Sequence, residues 1–190
     1  RNWSYRCSTP AFSSTPPIPQ NPFQGAGVAS VTITAAGTYT SVPTVAFSAA
    51  PVGGSTATGT VGLGVIGTPT INLAGVGDSV GNQWVMPNGV ILVVATVSGG
   101  VATSLLPMGS AGTNPGSITS GSTPANPVQS LSTSSGLGGG RANLTWGVTS
   151  VQIISAGAGY LVAPSVVFSS GAAAATTTLS PFASGGSNAF

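Results

Sequence analysis

Two stretches of this chain are versions of one another. Val28 to Ser48 reads VASVTITAAGTYTSVPTVAFS, and Val148 to Ser169 reads VTSVQIISAGAGYLVAPSVVFS. With one residue inserted before the tyrosine of the second copy, Val28, Ser30, Val31, Ile33, Tyr39, Pro43, Val45, Phe47 and Ser48 match Val148, Ser150, Val151, Ile153, Tyr160, Pro164, Val166, Phe168 and Ser169. A repeat this dense constrains the fold strongly, because any local structure that suits one copy must also suit the other.

The repeat reads as strand, glycine turn, strand. Val31 and Ile33, and then Val45 and Phe47, alternate with Thr, Ala and Ser, the two-residue period of a half-buried strand. Gly37, and Gly157 with Gly159, supply the turn, while Pro43 and Pro164 stand at the start of the next strand, where a ladder donor is expendable. Tyr39 and Tyr160 are expected to cap a sheet edge with the ring and keep the hydroxyl in water. Val45 with Phe47, and Val166 with Phe168, are expected to point to one core. Each copy runs into small residues, GGSTATGTVGL or SGAAAATTTL, which read as a third strand approached closely by another backbone. Gly89 to Leu106 reads as a hairpin turning at Ser98-Gly99-Gly100, with Val90, Leu92, Val94 and Val101 sharing a face. Glycine (29) and proline (15) recur so often that no window is left for a long helix. The expected fold is all-β, with short antiparallel strands in sandwich-like or barrel-like modules.

Composition shifts divide the chain into 1–25, 26–108, 109–140 and 141–190. The first segment sets Pro10, Pro16, Pro17, Pro19 and Pro22 among Trp3, Tyr5, Phe12, Ile18 and Phe23. Proline at this density forbids helix and favours extended chain, and a disordered tail does not usually carry so many aromatic groups. The segment is read as an anchoring arm whose Trp3, Tyr5, Phe12, Ile18 and Phe23 bind a neighbouring subunit, against the alternative of a strap over its own domain. Residues 26–108 form a β module with the first repeat copy, and 141–190 hold the second copy and the C-terminal tail. Between them 109–140, rich in Gly, Ser, Thr, Asn and Pro, reads equally as a flexible linker and as a long loop ordered by neighbours.

The ionic inventory is Arg1, Arg6, Asp78 and Arg141, which is 2% of the chain, and there is no His, Glu or Lys. An ordinary globular domain carries roughly 25%. Acid–base catalysis needs a group that exchanges a proton near working pH, and only Asp78 is available, with no second carboxylate and no base to activate a serine. No enzyme activity and no cofactor are expected. Cys7 and Asp78 cannot assemble a metal site within one chain. Three scattered arginines give a net charge of +2 and no phosphate-binding patch, so nucleic acid is not an expected partner. The longest apolar stretch, Val90 to Ala95, is strand length and too short for a membrane helix. Cys7 is single, which excludes an intrachain disulfide.

The strand followed by Gly-x-Gly-Tyr, Pro and Val-x-Phe, complete in AGAGYLVAPSVVF and lacking one glycine in AAGTYTSVPTVAF, resembles the glycine-rich β modules of tailed-bacteriophage structural proteins. VGDSVGNQW and VSGGVATSL resemble the turns found between such copies. The resemblance covers roughly residues 27 to 180 and implies a virion protein, either a fibre or appendage subunit or a head decoration protein. It supplies no catalytic residues. Expected partners are copies of the chain itself, as a homotrimer, and capsid, portal, neck or tail subunits. A surface wetted by Ser, Thr, Asn and Gln rather than by charge suits a chain whose edges are covered by its own copies. The alternative is a cell-surface adhesin or receptor-binding domain in which Trp84, Trp146 and Tyr160 stack on sugars.

Overall fold

The computed structural model describes residues 25–108, 118–133 and 139–180. Its strands are β1 (Val28–Ala35), β2 (Val45–Phe47), β3 (Thr58–Leu73), β4 (Gln83–Val85), β5 (Ile91–Ser98), β6 (Val101–Pro107), β7 (Val128–Gln129), β8 (Ser132–Thr133), β9 (Arg141–Ser155), β10 (Val166–Phe168) and β11 (Ala174–Leu179). All of their pairings are antiparallel, and the described residues contain no α-helix. The fold is all-β, built from several small sheets ordered β1-β11, β10-β2, β3-β9-β7 and β6-β5-β4-β8. The later part of each small-residue run is strand, Thr58 to Leu63 at the start of β3 and Ala174–Leu179 as β11.

The repeat does not close on itself as a hairpin. The first strand of each copy pairs with the strand that follows the other copy, β1 with β11 and β9 with β3. Their registers correspond residue for residue. Val28, Ser30, Val31, Thr32, Ile33 and Ala35 face Leu179, Thr178, Thr177, Thr176, Ala175 and Ala174. Their counterparts Val148, Ser150, Val151, Gln152, Ile153 and Ser155 face Leu63, Gly62, Val61, Thr60, Gly59 and Thr58, with irregularities at the same two steps. The second strands pair with each other, Val45 with Phe168, Ala46 with Val167 and Phe47 with Val166, a self-complementary register. The two copies are thus related by an internal two-fold axis beside Ala46 and Val167. Segments 26–108 and 141–190 complete each other's sheets.

The tyrosines belong to this exchange. Tyr39 and Tyr160 are both buried, 5% and 2% exposed, so their hydroxyls are not in water as expected from a sheet-edge cap. Each instead accepts a backbone N–H from the segment leading into the third strand: Ala57 N to Tyr160 Oη at 2.9 Å, and Ala173 N to Tyr39 Oη at 3.3 Å. Tyr160 Oη also donates to Ser48 O at 3.1 Å. Removing that hydroxyl orphans a buried donor, so Tyr160→Phe should cost about 1–3 kcal/mol in denaturant unfolding, while Tyr39→Phe, with one longer bond, should cost about 1 kcal/mol or less. Equal, negligible losses in both variants would contradict these bonds.

Val45 with Phe47 and Val166 with Phe168 do not point to one core. Phe168 joins Tyr39 in a large cluster and Phe47 joins Tyr160 in a small one, while Val45 and Val166 pack against both. Each valine opposes the other copy's phenylalanine, so all four side chains leave the β2–β10 ladder on one face, and the two rings, at diagonal positions, reach different clusters.

At the far ends of β3 and β9 the chain makes an excursion into the four-stranded sheet. The turn Gly99-Gly100 has φ of +60° and +78°, the left-handed pair that a two-residue hairpin requires, and Ser98 pairs with Val101 across it. Trp84, Leu92, Val94 and Leu105 form the inner face of this sheet and pack with Leu63, Val65, Leu144 and Trp146 from β3 and β9. Val101 does not share the face of Val90, Leu92 and Val94, all three of which are fully buried. Register shifts beside Thr96 put Ala102 and Leu105 there instead. Residues 118–133 are held by their own chain: Ile118 exchanges two backbone bonds with Leu63, at 2.9 Å each, and Val128 pairs with Ala142.

Candidate functional site

Asp78, the only acid in the chain, is 4% exposed. Its Oδ1 accepts the indole N–H of Trp84 at 3.1 Å, and its backbone N–H donates to Gly100 O at 2.9 Å, tying the loop before β4 to the β5–β6 turn. Oδ2 finds no hydrogen-bond partner among the described residues. Arg141, exposed at the start of β9, donates from Nη2 to Gln129 Oε1 at 3.4 Å. Neither group lines any of three clefts formed by the described residues. One cleft of about 440 Å³ lies between β1 and β9, and the walls of this and two similar clefts are Val, Ile, Ala, Gly, Thr and Ser with two prolines and Asn, Leu, Tyr and Trp at single places.

Every aromatic side chain among the described residues is in the interior: Tyr39, Phe47, Trp84, Trp146, Tyr160 and Phe168 are all 9% exposed or less. Trp84, Trp146 and Tyr160 therefore offer no platform for a sugar ring, which corrects their assignment as stacking residues. Trp84 lies over Gly140, whose missing side chain makes room for the indole. The arm residues Trp3, Tyr5, Phe12, Ile18 and Phe23, together with Arg1, Arg6 and Cys7, lie outside the described residues.

What the described surface does offer is apolar area. On the outer face of the four-stranded sheet, Gln83 opposes Val93 and Val93 opposes Leu106, while Val85 opposes Ile91. Val85, Ile91 and Val93 are half-buried, Leu106 is 52% exposed, and Met108, 41% exposed, accepts from Gln83 Nε2 through its sulfur at 3.9 Å. Leu131, whose N–H donates to Val85 O, is 70% exposed at the margin. A sheet apolar on both faces is the pattern of one covered on both sides. Its sequence signal is the unbroken run from Val90 to Ala95, which alternation alone would have interrupted with polar residues. A second exposed group, Leu161 and Val162, follows Tyr160.

No protein-family model, curated protein or solved structure matches the chain.

Proposed function

We propose that this chain is a non-catalytic structural subunit of a tailed-phage virion, a fibre or appendage subunit or a capsid decoration protein. It packs against copies of itself, with a homotrimer as the first assembly, and is held to capsid, portal, neck or tail subunits by its N-terminal arm. It uses no cofactor, and neither nucleic acid nor membrane is a partner. The observation that carries this reading is the outer face of Val85, Ile91, Val93, Leu106 and Met108 on a body whose one carboxylate is buried against Trp84. A surface with that much apolar area and so little charge is suited to association and offers few groups for chemistry. The repeat and its resemblance to phage β modules supply the virion setting.

The arm is tested by deletion. A chain lacking residues 1–24 keeps every strand described above and should fold and assemble, yet be missing from purified particles produced with it. Particles that still incorporate the truncated chain would overturn the anchoring role of Trp3, Tyr5, Phe12, Ile18 and Phe23.

A further inference from the structure

The internal two-fold holds on both sides of one short stretch and fails within it. Before the stretch, Tyr39 N donates to Trp146 O at 2.9 Å and Tyr160 N to Ala26 O at 3.1 Å, equivalent bonds in the two copies. After it, Ser169 N donates to Thr44 O at 3.0 Å and Ser48 N to Ser165 O at 2.9 Å, again equivalent. Between these points the first copy has Thr40, Ser41 and Val42, and the second has Leu161, Val162 and Ala163. The first triplet is covered by an extended segment of its own chain. Val42 N donates to Gly121 O at 3.0 Å, Thr123 N donates to Thr40 O at 2.9 Å, and Ser41 faces Ser122 in an antiparallel bridge. The second triplet has no such cover among the described residues. No hydrogen bond from another described residue reaches Leu161, Val162 or Ala163, and all three are exposed, Leu161 by 72% and Val162 by 78%.

The residue types run opposite to what permanent exposure to water would select. Where the edge is covered its first two side chains are Thr and Ser, and where it is uncovered they are Leu and Val. Leu161 O and Ala163 N are the counterparts of Thr40 O and Val42 N, the acceptor and donor that hold an antiparallel neighbour in the first copy. A strand added to the second copy in the same way satisfies both backbone groups. It also brings cross-strand neighbours to Leu161 and Val162 on the two faces of the ladder.

We propose that Leu161, Val162 and Ala163 form a strand-docking edge that takes an extended segment of a neighbouring copy of the chain, paired as residues 121–123 are paired with 40–42. Charge points to a second copy as the occupant. The edge is apolar and uncharged, so a charged segment would lose hydration there without gaining a partner. Among the described residues of this chain the only exposed charge is Arg141, which makes its own surface the chemical match. The fold already completes its sheets in this manner, each repeat copy being paired with the strand that follows the other. An edge filled by a different segment of the next chain is a head-to-tail contact, and such contacts close into rings when the rotation permits, which suits three copies. This inference rests on the reading of the chain as a self-assembling subunit and deepens it by naming an edge at which copies join.

The test is amide hydrogen exchange of the full chain, read residue by residue by mass spectrometry in the assembled state and after dissociation by dilution. The Ala163 amide should exchange about 100-fold or more slowly in the assembly than in the dissociated chain, whereas Val42, whose acceptor Gly121 O lies in its own chain, should be protected in both. Leu161→Thr combined with Val162→Ser gives the second triplet the side chains of the first. That variant should assemble about 10-fold or more weakly, with urea unfolding of the dissociated chain unchanged. Protection of Ala163 in the dissociated chain would mean that a segment of the same chain covers the edge, and exposure in both states would mean that nothing pairs with it. Either result, or undiminished assembly of the double variant, overturns the proposal. Failure of the wider reading looks different. A chain that stays monomeric at every concentration denies self-assembly and this edge with it, while an assembly that leaves Ala163 unprotected removes the edge alone.

Discussion

Trp84→Ala should destabilise the protein by about 3–5 kcal/mol, the usual range for emptying the space of a fully buried large aromatic residue. Trp84 has no exposed surface and centres the inner face of the four-stranded sheet, with Leu92 opposite it on β5. Its indole N–H is also the donor that holds Asp78 Oδ1. Truncation therefore adds a second loss, because it leaves a buried carboxylate without its side-chain partner. The two terms are separable. Trp84→Phe retains most of the ring volume and removes only the donor, so it should cost about 1–3 kcal/mol. Urea unfolding of the three proteins measures both, and a loss below about 1 kcal/mol for the alanine variant would mean that this sheet is not packed as described.

Gly157→Ala should be nearly as damaging, for a different reason. Gly157 has φ of +65°, and a β-carbon there would stand 2.5 Å from Ser55 O and 2.7 Å from Ala57 N. Both atoms belong to backbone already committed to bonds, Ser55 with Ala158 and Ala57 with Tyr160 Oη, so neither can yield cheaply. Gly67 provides the comparison, with φ of +68° and nothing within 4 Å of the place a β-carbon would take. Gly67→Ala should carry only the left-handed conformational cost of about 1–2 kcal/mol, whereas Gly157→Ala should lose about 3 kcal/mol or more. The difference between the two is the steric part. Equal losses would show that the two repeat copies do not approach each other as closely as the hydrogen bonds require.

The strands are legible in the sequence because apolar residues alternate at period two and glycines or prolines bound them. The partners of those strands are not. A strand, a glycine turn and another strand read as a hairpin, and nothing in one copy distinguishes pairing with itself from pairing with an equivalent copy more than a hundred residues away. Val28 against Leu179 and Val148 against Leu63 satisfy the same side-chain rules as a local pairing would. The tyrosine hydroxyls escape a local reading for the same reason, since their bonds to Ala57 and Ala173 exist only once the copies are exchanged. Val101 differs from its expected place because a bulge, invisible in the sequence, moves the inner face to Ala102 and Leu105.

For the site, the scarcity of charge is plain from composition, but its placement is not. Nothing in VGDSVGNQW says that Asp78 is buried under an indole, or that Trp84 belongs to the core. The outer apolar face is half visible: Ile91 and Val93 are as hydrophobic as their inward neighbours Leu92 and Val94, a sign that both faces of β5 are meant to be covered.

The claim beneath all of this is that the chain acts by contact with copies of itself and with its particle. Sedimentation velocity of the purified full chain over a wide range of concentration tests it most directly. The expected result is an assembly with the mass of three chains, dissociating when Leu106 and Val93 are both replaced by serine. A single species of 18.2 kDa at every concentration would contradict it.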